Sequence, residues 1–270
     1  MNDHILSDEA FEELRAYIKL KSGIHLAEHK KTLVMSRMMK TLNQLKFTTY
    51  DDYLSYLKED ADGDKLNHLI DRISTNHTYF MREEQHFDYL QEVILPELES
   101  RESRKDIRIW SAGCSSGEEP YSITMVMHKY FEKSWFMWDA KVLASDISAE
   151  ILSQARKGVY RKETLENLNN KAKLMYFNRL EKGYEVKPLL KKNVIFKRIN
   201  LMKRFPFQSK LHVIFCRNVM IYFDAQTKAD LIKRFYDQLL PGGYLLIGHS
   251  ETIDRNIAPF EYVQPSIYRK

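Results

Sequence analysis

Apolar positions recur at helical spacing through the first quarter of the chain and at strand spacing beyond it. Phe11, Leu14, Tyr17 and Ile18 form one stripe, bounded by Ser7 as an N-cap and Gly23 as a terminator. A second helix is predicted over about 28–46, with Val34, Met38, Leu42 and Leu45 on one face. Thr49 with Asp52 resembles a capping box for a third helix, Tyr53 to Glu59, and Leu66 to Ile73 reads as a fourth. A longer helix is expected over 83–100. After it the pattern changes to short apolar runs alternating with helices. The predicted strands are 107–112, 141–145, 194–199, 213–216 and 244–248, with a final pair at 260–263 and 266–269 around Pro265. The intervening helices are 118–132, 148–157 and 225–239. The less regular stretch 158–193 has room for a helix pair and a small hairpin. Parallel strands alternating with helices, closed by an antiparallel pair, describe an α/β domain behind an all-α one.

The chain is organised around Ile107–Ser122, IRIWSAGCSSGEEPYS. It reads as a buried strand, a turn bracketed by Gly113 and Gly117, and a helix opening on Glu118-Glu119-Pro120. Pro is favoured near a helix start because its missing N–H would have no partner there. A dinucleotide fold would show G-x-G-x-x-G and seat pyrophosphate on the helix N-terminus. Here two carboxylates occupy the first turn, where they suit the helix dipole but repel phosphate. They call for a cationic or hydroxyl-bearing guest, and S-adenosylmethionine, with an ammonium, a sulfonium and a ribose, meets that description. Asp146 closes the second strand, where folds of this kind grip a ribose by its hydroxyls.

The same letters also spell G-x-S-x-G, the nucleophile elbow of α/β-hydrolases, with Ser115 as nucleophile and Asp146 and His249 following in triad order. Against that reading, the upstream strands and oxyanion loop of a hydrolase are missing. Glu118 and Glu119 would also crowd a developing oxyanion. His25-Leu26-Ala27-Glu28-His29 spells the H-x-x-E-H of inverted zinc proteases. It begins two residues after a helix-ending glycine, so the histidines are not expected to share a face, and no metal is expected.

Composition narrows the picture further. No apolar run approaches the roughly 20 residues of a membrane span, and the acidic start MNDHILSDEAFEEL is not a signal peptide. Two cysteines, Cys114 and Cys216, end separate strands, which points to a reducing compartment, the cytoplasm. The formal net charge of +5 is unevenly spread. From His29 to Tyr50 there are five Lys/Arg and no Asp or Glu. Lys30, Arg37 and Lys40 fall opposite the apolar face, a one-sign surface suited to an acidic partner. Thr75–Arg82, which joins the two parts, lacks Gly and Pro and carries Asn76, Thr78 and Arg82, side chains suited to hydrogen-bonding work at a domain junction.

With these residues in view, the chain resembles the CheR-type chemotaxis receptor glutamate methyltransferases over nearly its whole length. The matching segments are Thr75–Arg82, Gly113–Ser122, the strand end at Asp146, Asn200-Leu201, Cys216–Phe223 and Pro241–Glu251. The resemblance implies an N-terminal helical domain, 1–74, and a Rossmann-like class I methyltransferase domain, 75–270, with a small β-subdomain inserted within 158–197. It implies methyl transfer from S-adenosylmethionine to receptor glutamates, giving methyl esters. Carried over by position, Asn76, Thr78, Arg82, Glu118, Asp146, Asn200, Leu201, Arg217 and Asn218 would surround the cofactor. Tyr222 would lie beside the transferred methyl, and Arg82 would orient a carboxylate. The expected partner is the cytoplasmic helical domain of a membrane receptor, met by Lys30, Arg37 and Lys40. The chain is expected to act as a monomer, without nucleic acid or membrane insertion. In some family members the β-subdomain binds a receptor C-terminal peptide; this stretch looks short for that.

Other classes are distinguishable. An amino-methylating nucleic-acid enzyme would show Asp/Asn-Pro-Pro-Tyr after the fourth strand, and a cytosine-C5 enzyme Pro-Cys; this chain has Cys216-Arg217-Asn218-Val219. A cofactor-binding interaction protein would bind S-adenosylmethionine and methylate nothing.

Overall fold

The computed structural model describes residues 5–60, 63–73 and 77–270. Their contacts form two compact units, residues 1–75 with 222–227, and residues 76–221 with 228–270.

The larger unit is built on ten strands: β1 Asp106–Ala112, β2 Asp139–Asp146, β3 Val159–Tyr160, β4 Phe177–Leu180, β5 Gly183–Val186, β6 Val194–Arg198, β7 Leu211–Cys216, β8 Leu239–Ile247, β9 Glu261–Gln264 and β10 Ile267–Arg269. Seven make one sheet in the order β6-β2-β1-β7-β8-β10-β9. The first five run parallel, and β10 and β9 close the sheet antiparallel. The chain starts in the middle at β1, winds outward through β2 to β6, then returns to β7 on the other side. The strand order therefore reverses between β1 and β7, and the crevice at their carboxyl ends is where such sheets bind ligands.

The core follows from the apolar runs. Ile107, Ile109, Trp110 and Ala112 are fully buried, as are Val213, Ile214 and Phe215 on β7. Trp110 is ringed edge-on by Phe205, Phe207 and Phe235, and its indole N–H donates to Ser145 Oγ at 2.8 Å. Burial of so large a ring needs that partner. The helix Glu118–Phe131 is buried along most of its length, as expected for a crossover helix lying on a parallel sheet.

The expected helix 83–100 divides into Gln85–Tyr89, a π-helical turn Leu90–Ile94, and Leu95–Arg101. Pro96 explains the break, since it offers no N–H and its ring displaces the carbonyl one turn back, which widens the helix. The irregular stretch holds a three-stranded antiparallel sheet, β3-β5-β4, with the helix Asn170–Tyr176 before the β4–β5 hairpin.

The smaller unit is helical: Asp8–Ser22, Lys31–Leu45, Tyr50–Lys58 and Asp64–Ile73. Ser7 caps the first by accepting from Ala10 N, and Gly23, at φ +77°, ends it. Thr49 accepts from Asp52 N and donates to Asp52 Oδ2, so the third helix starts at Tyr50, earlier than its apolar pattern predicts. Segment Tyr222–Thr227 joins this unit: His25 N donates to Tyr222 O at 2.6 Å, Ile24 bridges Phe223, and Lys19 pairs with Asp224 at 2.7 Å. The hydrogen bond from Lys19 holds the Asp224 carboxyl well below the usual carboxylate range.

The basic helix departs from expectation at two positions. Val34, Met38 and Leu42 are fully buried, whereas Leu45 is 43% exposed and lies off the core face. Arg37 is only half-exposed, and its Nη1 donates to the carbonyl of Ile73 at 2.6 Å, capping the end of another helix. It therefore does structural work as well as carrying charge. Arg37→Ala is expected to lower stability by about 1–2 kcal/mol, while exposed Lys40→Ala stays within about 0.5 kcal/mol. Urea unfolding of the two variants checks this, and equal midpoints would show that the Ile73 contact contributes nothing.

Candidate functional site

The loops leaving β1, β2, β6, β7 and β8 all open at the carboxyl edge of the sheet, and those at β1, β2, β6 and β7 carry expected site residues. After β1, Gly113 and Cys114 donate their N–H groups to Ser145 O, both at 2.8 Å. Gly113 stands at φ +85°, and a Cβ there would lie 2.4 Å from Val219 Cγ2, so the turn admits only glycine. Gly117, at φ +98°, is closed in by Ala155 and Tyr160. At the end of β2, Asp146 accepts from Ser115 N through Oδ2 and from Ser148 N through Oδ1, both at 3.0 Å. Burial raises its pKa, against those backbone donors. Ile199 N donates to the main-chain carbonyl of Asp146 at 3.1 Å, so Asn200 and Leu201 follow β6 next to the end of β2.

The two helix-opening carboxylates separate in role. Glu118 is 4% exposed, accepts from Ser116 Oγ at 2.7 Å, and has its pKa raised by burial. Glu119 faces the protein instead, accepting from Ser111 Oγ at 2.7 Å and from Arg217 Nη1 at 3.0 Å. Of the pair, only Glu119 is tied to Arg217.

Arg217, directly after β7, is the centre of the site. Its side chain is 2% exposed. Nε and Nη2 reach Glu83 Oε2 at 3.2 and 3.1 Å, Nη1 reaches Glu119, and Nη2 also donates to the carbonyl of Arg82. The guanidinium lies over the Phe87 ring, 5.4 Å from its centroid. Burial opposes ionisation of Glu83, yet Arg217 and the His249 backbone N–H outweigh it and leave the carboxyl below its ordinary pKa. Asn218 stands at φ +59°, donates its N–H to Glu251 Oε2 at 3.0 Å and its amide to Glu83 Oε1 at 3.4 Å. Glu251 also accepts from Gly248 N at 2.7 Å and Ile221 N at 3.1 Å, tying the β7 and β8 loops together.

Of eight non-glycine residues at positive φ among the described residues, Met81, Glu83, Ser115 and Asn218 belong to this edge. Such conformations cost of order 1–3 kcal/mol each and persist where surroundings over-determine them. Half-buried Arg82, between two of them, donates from Nη1 to His77 O at 2.7 Å, and Thr78 is half-buried nearby in the chain.

Thr78, Arg82, Glu118, Asp146, Asn200, Leu201, Arg217 and Asn218 therefore belong to the loops of one unit. Asn76 lies outside the described residues. Tyr222 belongs to the helical unit, with Lys30 Nζ 6.0 Å from its ring centroid, and Arg37 and Lys40 lie on the helix Lys31–Leu45 of that unit. Glu83, Glu251 and Ser111 escaped sequence reasoning as site members. A signal existed for two of them: Glu83 adjoins Arg82, and Glu251 ends the matched Pro241–Glu251 segment.

The hydrolase alternative fails on geometry. Asp146 bonds the Ser115 backbone and no histidine; Ser115 Oγ is buried without a partner; and the His249 ring meets His86 at 5.0 Å. What the edge offers is a glycine-bounded turn, two carboxylates and a rigid Arg–Glu framework at a topological switch point. A buried serine hydroxyl with no protein partner stands beside them, and these groups suit a ribose and an amino-acid moiety.

Residues 76–268 match the CheR methyltransferase, SAM binding domain, and residues 9–74 its all-alpha domain. The chain belongs to the CheR methyltransferase family. A chemotaxis protein methyltransferase of Borreliella burgdorferi is 45% identical over 267 residues, covering 96% of this chain and 94% of that protein. The Escherichia coli chemotaxis protein methyltransferase is 38% identical over 251 residues, 91% and 85% of the two chains. Chemotaxis protein methyltransferase 2 of Vibrio cholerae is 34% identical over 258 residues, 94% and 89%. As a CheR methyltransferase, this chain is an enzyme that uses S-adenosylmethionine, with the class I fold and its terminal antiparallel strands. No helix among the described residues is long and apolar enough to cross a membrane.

Proposed function

We propose that this CheR methyltransferase esterifies glutamate side chains on the cytoplasmic helical domain of membrane chemotaxis receptors, acting in the cytoplasm as a monomer. In this reading residues 1–74 form a substrate-docking domain and 75–270 the methyltransferase domain, with its β-subdomain within 158–197. The observation that carries it is the convergence of Glu118, Asp146 and the Arg217-Asn218 loop on the edge between β1 and β7. Asp146 and Glu118 are carboxylates placed to accept from ribose hydroxyls. Asn200, Leu201, Asn218, Thr78 and Asn76 complete the surroundings of the cofactor. Arg217 acts through Glu83, Glu119 and Arg82 O, holding the loops in place, because its N–H groups are committed there.

S-adenosylmethionine supplies an electrophilic methyl group. A glutamate side chain, with an ordinary pKa of about 4.3, is already a carboxylate at neutral pH. The protein therefore needs no general base, and its part is to position the acceptor and exclude water. We assign Arg82 the orienting of a carboxylate, since too tight a pairing would blunt the nucleophile, and Tyr222 a place beside the transferred methyl. Lys30, Arg37 and Lys40 present positive charge to an acidic receptor helix, which speeds encounter and sets register.

Receptor-containing membranes incubated with methyl-labelled cofactor test the chemistry. Label should leave as volatile methanol after mild alkali; alkali-stable label, or label on nucleic acid, contradicts an ester. Lys40→Glu tests docking apart from folding. It should lower kcat/KM for receptor methylation about tenfold at low salt, with the gap shrinking as salt screens the charges. Wild-type kcat/KM in the variant would leave this face a solvated surface.

A further inference from the structure

His86 is 1% exposed, and neither ring nitrogen has a hydrogen-bond partner. A buried polar group left unmatched costs about 1–3 kcal/mol, and native proteins leave few of them. Its neighbours show what would satisfy it. The turn in which His86 N donates to Glu83 O, at 3.0 Å, sets both side chains on one side, with His86 Nδ1 3.5 Å from Glu83 Oε2. The His249 ring, just beyond β8 and exposed, meets the His86 ring edge-to-face at 5.0 Å. One donor atom from each of Glu83, His86 and His249 lies within 4.8 Å of the others.

Two imidazoles and a carboxylate are a donor set for Zn²⁺ and its neighbours Co²⁺ and Ni²⁺. Ion-to-ligand bonds of about 2.0–2.2 Å require the three donors to draw somewhat closer, and His249, being exposed, has the freedom to move. The opposing effect is Arg217, whose charge repels a second cation. Glu83 Oε1 accepts from Asn218 Nδ2 and from His249 N, both at 3.4 Å, so an ion would compete with those donors and with Arg217 for the carboxylate, while Glu119 keeps its hold on Arg217 Nη1. Among the described residues His25, Glu28 and His29 do not converge in this way, although they spell a zinc motif.

We propose that Glu83, His86 and His249 form a binding site for one divalent transition-metal ion of the zinc class. Because Glu83 also anchors Arg217, loading the site is expected to weaken binding of S-adenosylmethionine; this consequence alone rests on the cofactor site proposed above, and a cofactor titration of metal-free protein tests that site separately.

Full-length protein freed of metal with a chelator is titrated with Co²⁺, and its visible d–d absorption is followed. The expected result is saturation at one equivalent, with displacement by Zn²⁺. His249→Ala, an exposed change that spares folding, should weaken Co²⁺ binding at least about tenfold. His86→Gln should do the same, and His25→Ala with His29→Ala should leave binding unchanged. Absence of a Co²⁺ spectrum in the wild type, wild-type binding by His249→Ala, or loss of the spectrum in the His25/His29 double variant would each overturn the proposal.

Discussion

One guanidinium holds the carboxyl edge of the sheet together. Arg217 joins the end of β7 to the 77–83 segment through Glu83 and the Arg82 carbonyl, and to the opening of the buried helix through Glu119. A charge this deeply buried is tolerable only because nearly every N–H direction is matched, and removing one partner would leave an uncompensated ion. Arginine suits the place where lysine does not, since its planar fork reaches two carboxylates and a carbonyl in fixed directions. With the knot tied, Met81, Glu83 and Asn218 are kept in conformations that they would not adopt alone.

The sheet supplies the other half of the constraint. Because β1 and β7 are adjacent but connected in opposite directions, their loops diverge and leave a crevice between them. Gly113 lets the β1 loop pass close to Val219 after β7, and Glu251 draws Asn218 toward the β8 loop. Polar groups that converge there are buried and cannot choose their partners freely. Asp146 and Glu118 accordingly have pKa values raised by burial while remaining hydrogen-bonded.

Much of this was legible in the order of residues. Fully buried strands such as Ile107–Ala112 announce themselves as apolar runs, glycine-bounded turns mark where they end, and Asp146 closes β2 as the pattern predicts. Ser7, Gly23 and Thr49 act as the caps that they resemble. What escaped has common causes. The knot joins residue 217 to residues 83 and 119, and no local pattern records a pairing over such separations. Glu119 looked ligand-directed because its partner, Arg217, lies about a hundred residues downstream. The π-helical turn before Pro96 and the bond from Arg37 to Ile73 O depend on tertiary geometry, which periodicity averages away. The third helix began early because its cap, not its apolar stripe, sets the start.

If the geometry of the knot, rather than its charge, shapes the crevice, the most direct measurement is calorimetric titration of S-adenosylmethionine into the Arg217→Lys variant. Lysine keeps the positive charge but cannot reach Glu83, Glu119 and the Arg82 carbonyl together. The variant should stay folded by circular dichroism and bind the cofactor at least about tenfold more weakly, the equivalent of about 1.4 kcal/mol. Wild-type affinity in a folded Arg217→Lys protein would contradict the central role given to this interaction.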